Sequence, residues 1–123
     1  MALGVSEAFP GAGFLHAKVA ADVTEGHLDG VKTVLLVDSV LNSGKTVAEF
    51  VARVRAVAGK TLRIVVIAGV VQAAAVGEAA VFGTMMSRDE MVELVALRMS
   101  ENKFTGRGGT DTGNRLFNTT RLE

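Results

Sequence analysis

The feature that most constrains the fold is a strand–turn–helix pattern in residues 34–46, VLLVDSVLNSGKT. An apolar, mostly β-branched run over residues 34–37 leads into Asp38, and the small residues 42–44 follow. Beyond them, apolar side chains recur every three or four positions, which predicts an amphipathic helix that ends near Gly59. The pattern therefore predicts a buried strand, an acidic turn and the N-terminus of a helix.

This turn predicts an anion site. The backbone N–H groups of a first helical turn have no partner within the helix and lie at the positive end of its dipole, so they converge on phosphate. We expect Ser43 to be the N-cap and Lys45 to add a mobile positive charge.

Two phosphate-binding families end such a turn in this way. Gly44, Lys45 and Thr46 satisfy the end of the Walker A pattern G-x-x-x-x-G-K-[ST], but its first glycine falls on Ser39. The whole stretch instead resembles the signature of type I phosphoribosyltransferases. It is most similar to the uracil-specific branch, which has a non-acidic residue after the first aspartate, as Ser39 is here. We favour this interpretation over a P-loop NTPase.

Composition excludes several other classes of function. Lys plus Arg and Asp plus Glu both number 13, so no net charge argues for nucleic acid or an anionic membrane. The absence of cysteine and the presence of only two histidines exclude disulfides, thiolate catalysis and a histidine-rich metal site. No apolar run approaches the roughly 20 residues of a membrane helix. The N-terminus has no basic segment before an apolar one, as a signal peptide would, so we expect a cytoplasmic protein. The chain is 49% hydrophobic with a single proline, which is typical of α/β domains with buried parallel strands.

Periodicity and composition predict the remaining elements. We expect helices over residues 1–9 and 72–82, a short strand over 13–19, strands over 31–38, 62–70 and 91–99, a solvated connector over 20–30 and a polar joint over 84–90. Residues 1–123 then form a single α/β domain. Its mostly parallel sheet of three or four strands is flanked by helices and carries the ligand at the carboxyl ends of the strands.

A second motif lies in residues 102–119, NKFTGRGGTDTGNRLFNT. It resembles the C-terminal flap of uracil phosphoribosyltransferases, aromatic-x-x-Gly-x-Gly-Asp-x-Gly-Asp-Arg-x-Phe-Gly-Thr. Thr110 stands where the family usually has glycine, and Asn114 where it has aspartate. Two motifs in the family's order make the chain resemble the C-terminal part of such an enzyme, which implies a Rossmann-like type I fold that is N-terminally truncated.

The resemblance implies pyrimidine salvage, in which uracil and phosphoribosyl pyrophosphate give UMP and pyrophosphate. It implies Mg²⁺ bound with phosphoribosyl pyrophosphate, without direct protein ligands that can be named, and catalytic roles for Asp38 and Asp111. The positions implied to bind phosphoribosyl pyrophosphate are Asp38, Ser39, Val40, Leu41, Asn42, Ser43, Gly44, Lys45, Thr46 and Asp111. The positions implied to bind uracil are Thr105, Thr110, Asp111 and Thr112.

Three further expectations follow from the resemblance. Family members are longer, and their part that would precede Met1 carries a first strand and the basic loop that binds pyrophosphate. In this sequence only Lys18 stands near the position where the family has a second arginine. We therefore expect weak turnover unless a neighbouring subunit supplies the missing groups. Uncovered sheet edges favour a homodimer or higher homo-oligomer. A catalytically silent module that binds a nucleotide or pyrimidine remains the alternative.

Overall fold

The computed structural model describes residues 1–101, and its centre is a sheet of three parallel strands. The elements in chain order are α1 (Ala2–Ala8), α2 (Glu25–Leu28), β1 (Thr33–Leu41), α3 (Lys45–Ala58), β2 (Arg63–Gln72), α4 (Val81–Arg88) and β3 (Val92–Ser100). The strand order is β1-β2-β3, and both neighbouring pairs are parallel. The predicted α/β fold with a parallel sheet flanked by helices is confirmed.

The core lies between the sheet and helices α3 and α4. On β2, Ile64 and Val66 are fully buried, as expected for a central parallel strand. The apolar stripe predicted for α3 is buried through Val47, Val51 and Val54. The helix ends where predicted, because Gly59 adopts φ +81 directly after it. Burial of each large side chain contributes about 1.5–3 kcal/mol, so this layer is the main source of stability.

The strand β3 is less well covered than the other two. Val95, Leu97 and Met99 project from it with 55%, 80% and 56% of their surfaces exposed. Within residues 1–101, β1 and β3 each pair with β2 on one side only, so both are edge strands. The described part of the chain thus leaves apolar surface and unpaired strand edges open to solvent.

The N-terminal third departs from two of our predictions. The helix predicted over residues 1–9 is confirmed as α1, but the strand predicted over 13–19 is wrong. The carboxylate of Asp22 accepts the backbone N–H groups of Lys18 and Val19, so a local side chain takes donors that a strand would have used. The segment 20–30, predicted as a solvated connector, also contributes to the core, because Val23 and Leu28 are buried there.

The second crossover also differs from its prediction. A 3₁₀ turn, Ala73–Val76, replaces the start of the helix predicted over 72–82, and α4 takes in most of the residues predicted to form a polar joint. Alanine runs suit either conformation, so tertiary packing decided between them. The predicted strand over 91–99 is confirmed as β3. No helix within residues 1–101 has the length and apolar character needed to cross a bilayer.

Candidate functional site

The turn after β1 is shaped by a glycine with a left-handed backbone. The strand runs past Asp38 to Leu41, and Gly44 is the N-cap of α3 with φ +78 and ψ +1. Our assignment of the N-cap to Ser43 is wrong by one residue, because the chain needs a positive φ at the cap and glycine adopts it without strain. Ser43 still takes part, since its Oγ accepts the backbone N–H of Lys45 at 3.2 Å.

The first turn of α3 presents donors to an anion. The carbonyl of Gly44 accepts the N–H of Ala48 at 2.9 Å and so begins the helical hydrogen bonds. The N–H groups of Thr46 and Val47 come before that bond and have no acceptor within the helix. They lie at the positive end of the helix dipole, next to the exposed side chains of Lys45 and Thr46. This arrangement suits a phosphate monoester.

Asp38 lies in β1 before the turn, and its side chain is exposed. Its Oδ1 is 3.5 Å from the backbone nitrogen of Val40, the outer limit of a hydrogen bond, so the carboxylate stays available. Asp38 and Thr46 line one cleft of about 840 Å³, so the predicted acid shares a cleft with the last residue of the predicted phosphate turn. The predicted positions 39–45 do not line it. Leu41 is buried, so only its backbone can face a ligand.

Part of the wall of this cleft comes from the N-terminal segment, which no sequence motif marks. His16 and Lys18 line the same cleft as Asp38. His16 lies in the segment predicted as a strand over residues 13–19, and no spacing pattern links it to a motif. Lys18 was singled out only by the resemblance, because it stands near a position where the family has an arginine.

Three hydrogen bonds fix this part of the wall in place. The N–H groups of Val19 and Lys18 donate to Asp22 Oδ2 at 3.1 and 2.8 Å, and these bonds hold the pKa of Asp22 below its usual value. Arg53 Nε on α3 donates to the carbonyl of Val23 at 2.9 Å. The segment that carries Lys18 is therefore tied to the helix that carries the turn.

The charged groups of the cleft bear on how it could hold Mg²⁺. Residues 1–101 contain no group of three or more His, Cys, Asp or Glu side chains placed to hold a metal ion. Asp38 is the only carboxylate that lines the described cleft. Mg²⁺ is commonly held by one or two carboxylates together with substrate phosphates and water. The single Asp38 carboxylate fits an ion that arrives with a phosphorylated substrate.

Several predicted site residues lie outside the described residues. These are the flap positions Thr105, Thr110, Asp111 and Thr112. Their assigned roles in binding uracil and, for Asp111, in binding phosphoribosyl pyrophosphate and in catalysis stay predictions.

A comparison with protein families gives this geometry a context. The family model described as uracil phosphoribosyltransferase matches residues 1–119. The match includes both the turn motif of residues 34–46 and the flap motif of residues 102–119. It confirms the resemblance inferred from those two motifs and the type I phosphoribosyltransferase fold. No curated protein matches the chain.

Proposed function

Because the chain belongs to the uracil phosphoribosyltransferase family, we propose that it converts uracil and phosphoribosyl pyrophosphate to UMP and pyrophosphate. The observation that carries this proposal is the Gly44-capped helix N-terminus, which shares one cleft with the Asp38 carboxylate. In the reaction, N1 of uracil bonds to the anomeric carbon while the bond from that carbon to the pyrophosphate oxygen breaks. The N1 proton is released, and pyrophosphate leaves with the electron pair.

The turn binds the 5′-phosphate of the ribose. Backbone N–H groups of the first turn of α3 donate to the phosphate oxygens, and the Thr46 hydroxyl adds a further donor. These groups are supplied mainly by the backbone, so they recognise phosphate without reading the base. The turn thus anchors the sugar so that its anomeric carbon faces the cleft.

Asp38 acts on the ribose. Departure of pyrophosphate leaves positive charge on the sugar ring, and a carboxylate close to the sugar hydroxyls stabilises that charge. The position of Asp38 in the cleft wall and its exposed carboxylate support this role. Bound Mg²⁺ would supply charge neutralisation at the pyrophosphate leaving group, and Asp38 is the carboxylate in the lining of the described cleft that would help to hold it. Lys18 contributes a positive charge to the same cleft.

A second candidate function is a binding module without turnover. It is favoured by one observation, namely that Lys18 is the only Lys or Arg that lines the described cleft. Pyrophosphate carries several negative charges, and one cationic side chain neutralises only part of them. Such a module would bind UMP or a related pyrimidine nucleotide through the same turn.

One experiment separates the two functions. Purified chain is incubated with uracil, phosphoribosyl pyrophosphate and Mg²⁺, and UMP is measured by chromatography. The enzyme proposal expects UMP formation that depends on all three components and falls in Asp38→Asn. Calorimetric binding of UMP with no UMP formation would establish the binding module, and binding of neither UMP nor phosphoribosyl pyrophosphate would overturn both.

We also propose that the chain forms a homo-oligomer. The exposed apolar side chains of β3, with Leu97 at 80% exposure, and the open strand edges support association. Light scattering on the full chain should give at least twice the monomer mass, and Leu97→Lys should shift the mass toward the monomer. A monomer at all concentrations in the unaltered chain would contradict the proposal.

A further inference from the structure

The phosphate-binding turn rests on a part of the chain that no motif marks. Gly44 is buried, and a Cβ atom built on it would lie 2.9 Å from Cβ of Phe82 and 3.4 Å from the carbonyl oxygen of Ala75. Both contacts come from the crossover between β2 and β3, more than 30 residues later in the chain. The turn therefore packs against this crossover as well as being joined to its own strand and helix.

The supporting residues are themselves tightly fixed. Phe82 and Ala75 are completely buried. A Cβ on Gly83 would fall 2.1 Å from the carbonyl oxygen of Gly77, so the start of α4 lies directly against the preceding loop. The same Gly77 carbonyl accepts the N–H of Ala80 at 3.0 Å.

A hydroxyl closes the same loop. Thr84 Oγ1 donates to the carbonyl of Glu78 at 2.9 Å, and its backbone N–H donates to the carbonyl of Ala80 at the same distance. These bonds join the first turn of α4 to the loop that precedes it. The crossover is thus a closely packed, hydrogen-bonded unit.

We propose that residues 73–83 form a platform that sets the position of the phosphate-binding turn, with Phe82 as its positioning residue. The inference rests on the proposed function in one respect, namely that the turn binds the 5′-phosphate. Phe82 does not touch the ligand. It acts through Gly44, because its Cβ borders the space beside Gly44 and its buried ring holds that Cβ in place.

The physical reason lies in the geometry of the donors. A phosphate bound by backbone N–H groups needs several donors aimed at one point, and a hydrogen bond weakens steeply as its distance and angle depart from the optimum. A displacement of about 1 Å in a positioning element can change rates by about 100-fold. The position of Gly44 relative to residues 73–83 therefore controls the affinity for ribose phosphates.

The first test needs no ligand. The N–H of Ala48 donates to the carbonyl of Gly44, so its hydrogen exchange reports whether Gly44 stays in place. Phe82→Leu and Phe82→Ala are compared with Ile64→Ala, which empties an equally buried position near the amino end of β2.

After correction for the change in global stability, Phe82→Ala should raise the exchange of the Ala48 amide by about 10-fold. Ile64→Ala should leave the corrected value unchanged, and Phe82→Leu should lie between them, because leucine fills part of the buried space that holds Cβ of residue 82 in place. Equal corrected exchange in the Phe82 and Ile64 variants would overturn the platform.

The second test uses UMP and phosphoribosyl pyrophosphate as probes. Phe82→Ala should weaken UMP binding by about 10- to 100-fold and raise KM for phosphoribosyl pyrophosphate, with partial recovery in Phe82→Leu and less than a 3-fold effect in Ile64→Ala. If the unaltered chain binds neither probe, the proposed function fails and the Ala48 exchange still decides on the platform. If it binds both and the Phe82 variants bind equally well, the platform is wrong and the proposed function stands.

Discussion

The two ends of the sheet differ in how their polar groups are used. At the carboxyl end, the turn before α3 presents backbone N–H groups without helical acceptors, and the Asp38 side chain is exposed. At the amino end, Arg55 binds two carbonyls and a carboxylate: its Nη1 donates to Gly59 and Leu62 at 3.1 and 2.6 Å, and its Nε donates to Asp89 Oδ2 at 2.7 Å.

This difference separates binding from stability. Groups that are already paired stabilise the fold, and they cannot bind a ligand without first giving up a partner. Groups left available at the other end contribute little to stability and can bind an anion. Substitutions at the carboxyl end should therefore change ligand affinity or turnover, and substitutions at the amino end should change the free energy of unfolding.

The largest effect is expected from Gly44→Ala. A side chain there is strained at φ +78, and its Cβ would lie 2.9 Å from Phe82, so the turn must move. We expect UMP affinity to fall by about 100-fold and the free energy of unfolding to fall by about 1–3 kcal/mol. Calorimetry and urea denaturation measure the two quantities.

Gly59→Ala is the matched control for that substitution. Gly59 has a similar φ of +81, but a Cβ there would meet no atom within 4 Å, and the residue follows α3 at the amino end of the sheet, outside the lining of the cleft. It should lose stability by about 1–2 kcal/mol through strain alone and keep its affinity for UMP. A similar loss of affinity in both variants would break the separation between the two ends.

The next largest effect is expected from Asp38→Asn. Because the carboxylate is exposed and makes only one long hydrogen bond, stability should change little. Turnover should fall by about 100-fold through loss of charge stabilisation at the sugar. Steady-state kinetics provide the measurement, and Glu49→Gln, an exposed carboxylate on α3, serves as the control. Unchanged turnover in Asp38→Asn would remove this residue from the mechanism.

A smaller effect, confined to stability, is expected from Asp89→Asn. The hydrogen bond from Arg55 holds the pKa of Asp89 below its usual value, and the N–H of Met91 supports the same shift. A carboxylate with a lowered folded-state pKa contributes stability above its unfolded pKa of about 3.9, and that contribution is lost as pH falls through the folded value.

At pH 7 the variant should be less stable by about 1 kcal/mol, since Asp89 is partly exposed to solvent. The difference from the unaltered chain should shrink as pH falls below about 4. Urea denaturation at a series of pH values measures it. A difference that stays constant down to pH 2 would show that the charge of Asp89 has no part in the contact.

The smallest effect is expected from Glu93→Gln. Glu93 pairs with Arg63 at 2.6 Å, but both side chains are about half exposed. Solvent and salt screen such a pair, so its removal should cost about 0–0.5 kcal/mol. A loss as large as that of Asp89→Asn in the same denaturation experiment would show that burial does not govern ion-pair strength at this end of the sheet.

Some features of the fold and site could be read from local patterns. The apolar runs of β1 and β2, the stripe of α3 with Gly59 at its end and the anion turn before that helix all follow from residues close together in sequence. The helix predicted over residues 72–82 was wrong at its start, because helix propensity carries no information on the close packing of Gly83 against the Gly77 carbonyl.

Local patterns were enough to place strands β1, β2 and β3, helix α3 and the turn before that helix, since strand and helix periods and glycine conformations are properties of short segments. Packing across the whole fold brings Phe82 Cβ close to Gly44, puts Lys18 and Asp38 in the lining of one cleft and joins Arg55 to Asp89. The members of each pair are about 20 to 40 positions apart in the sequence. Such contacts depend on how whole elements pack, and that packing is a property of the assembled core rather than of any segment within it.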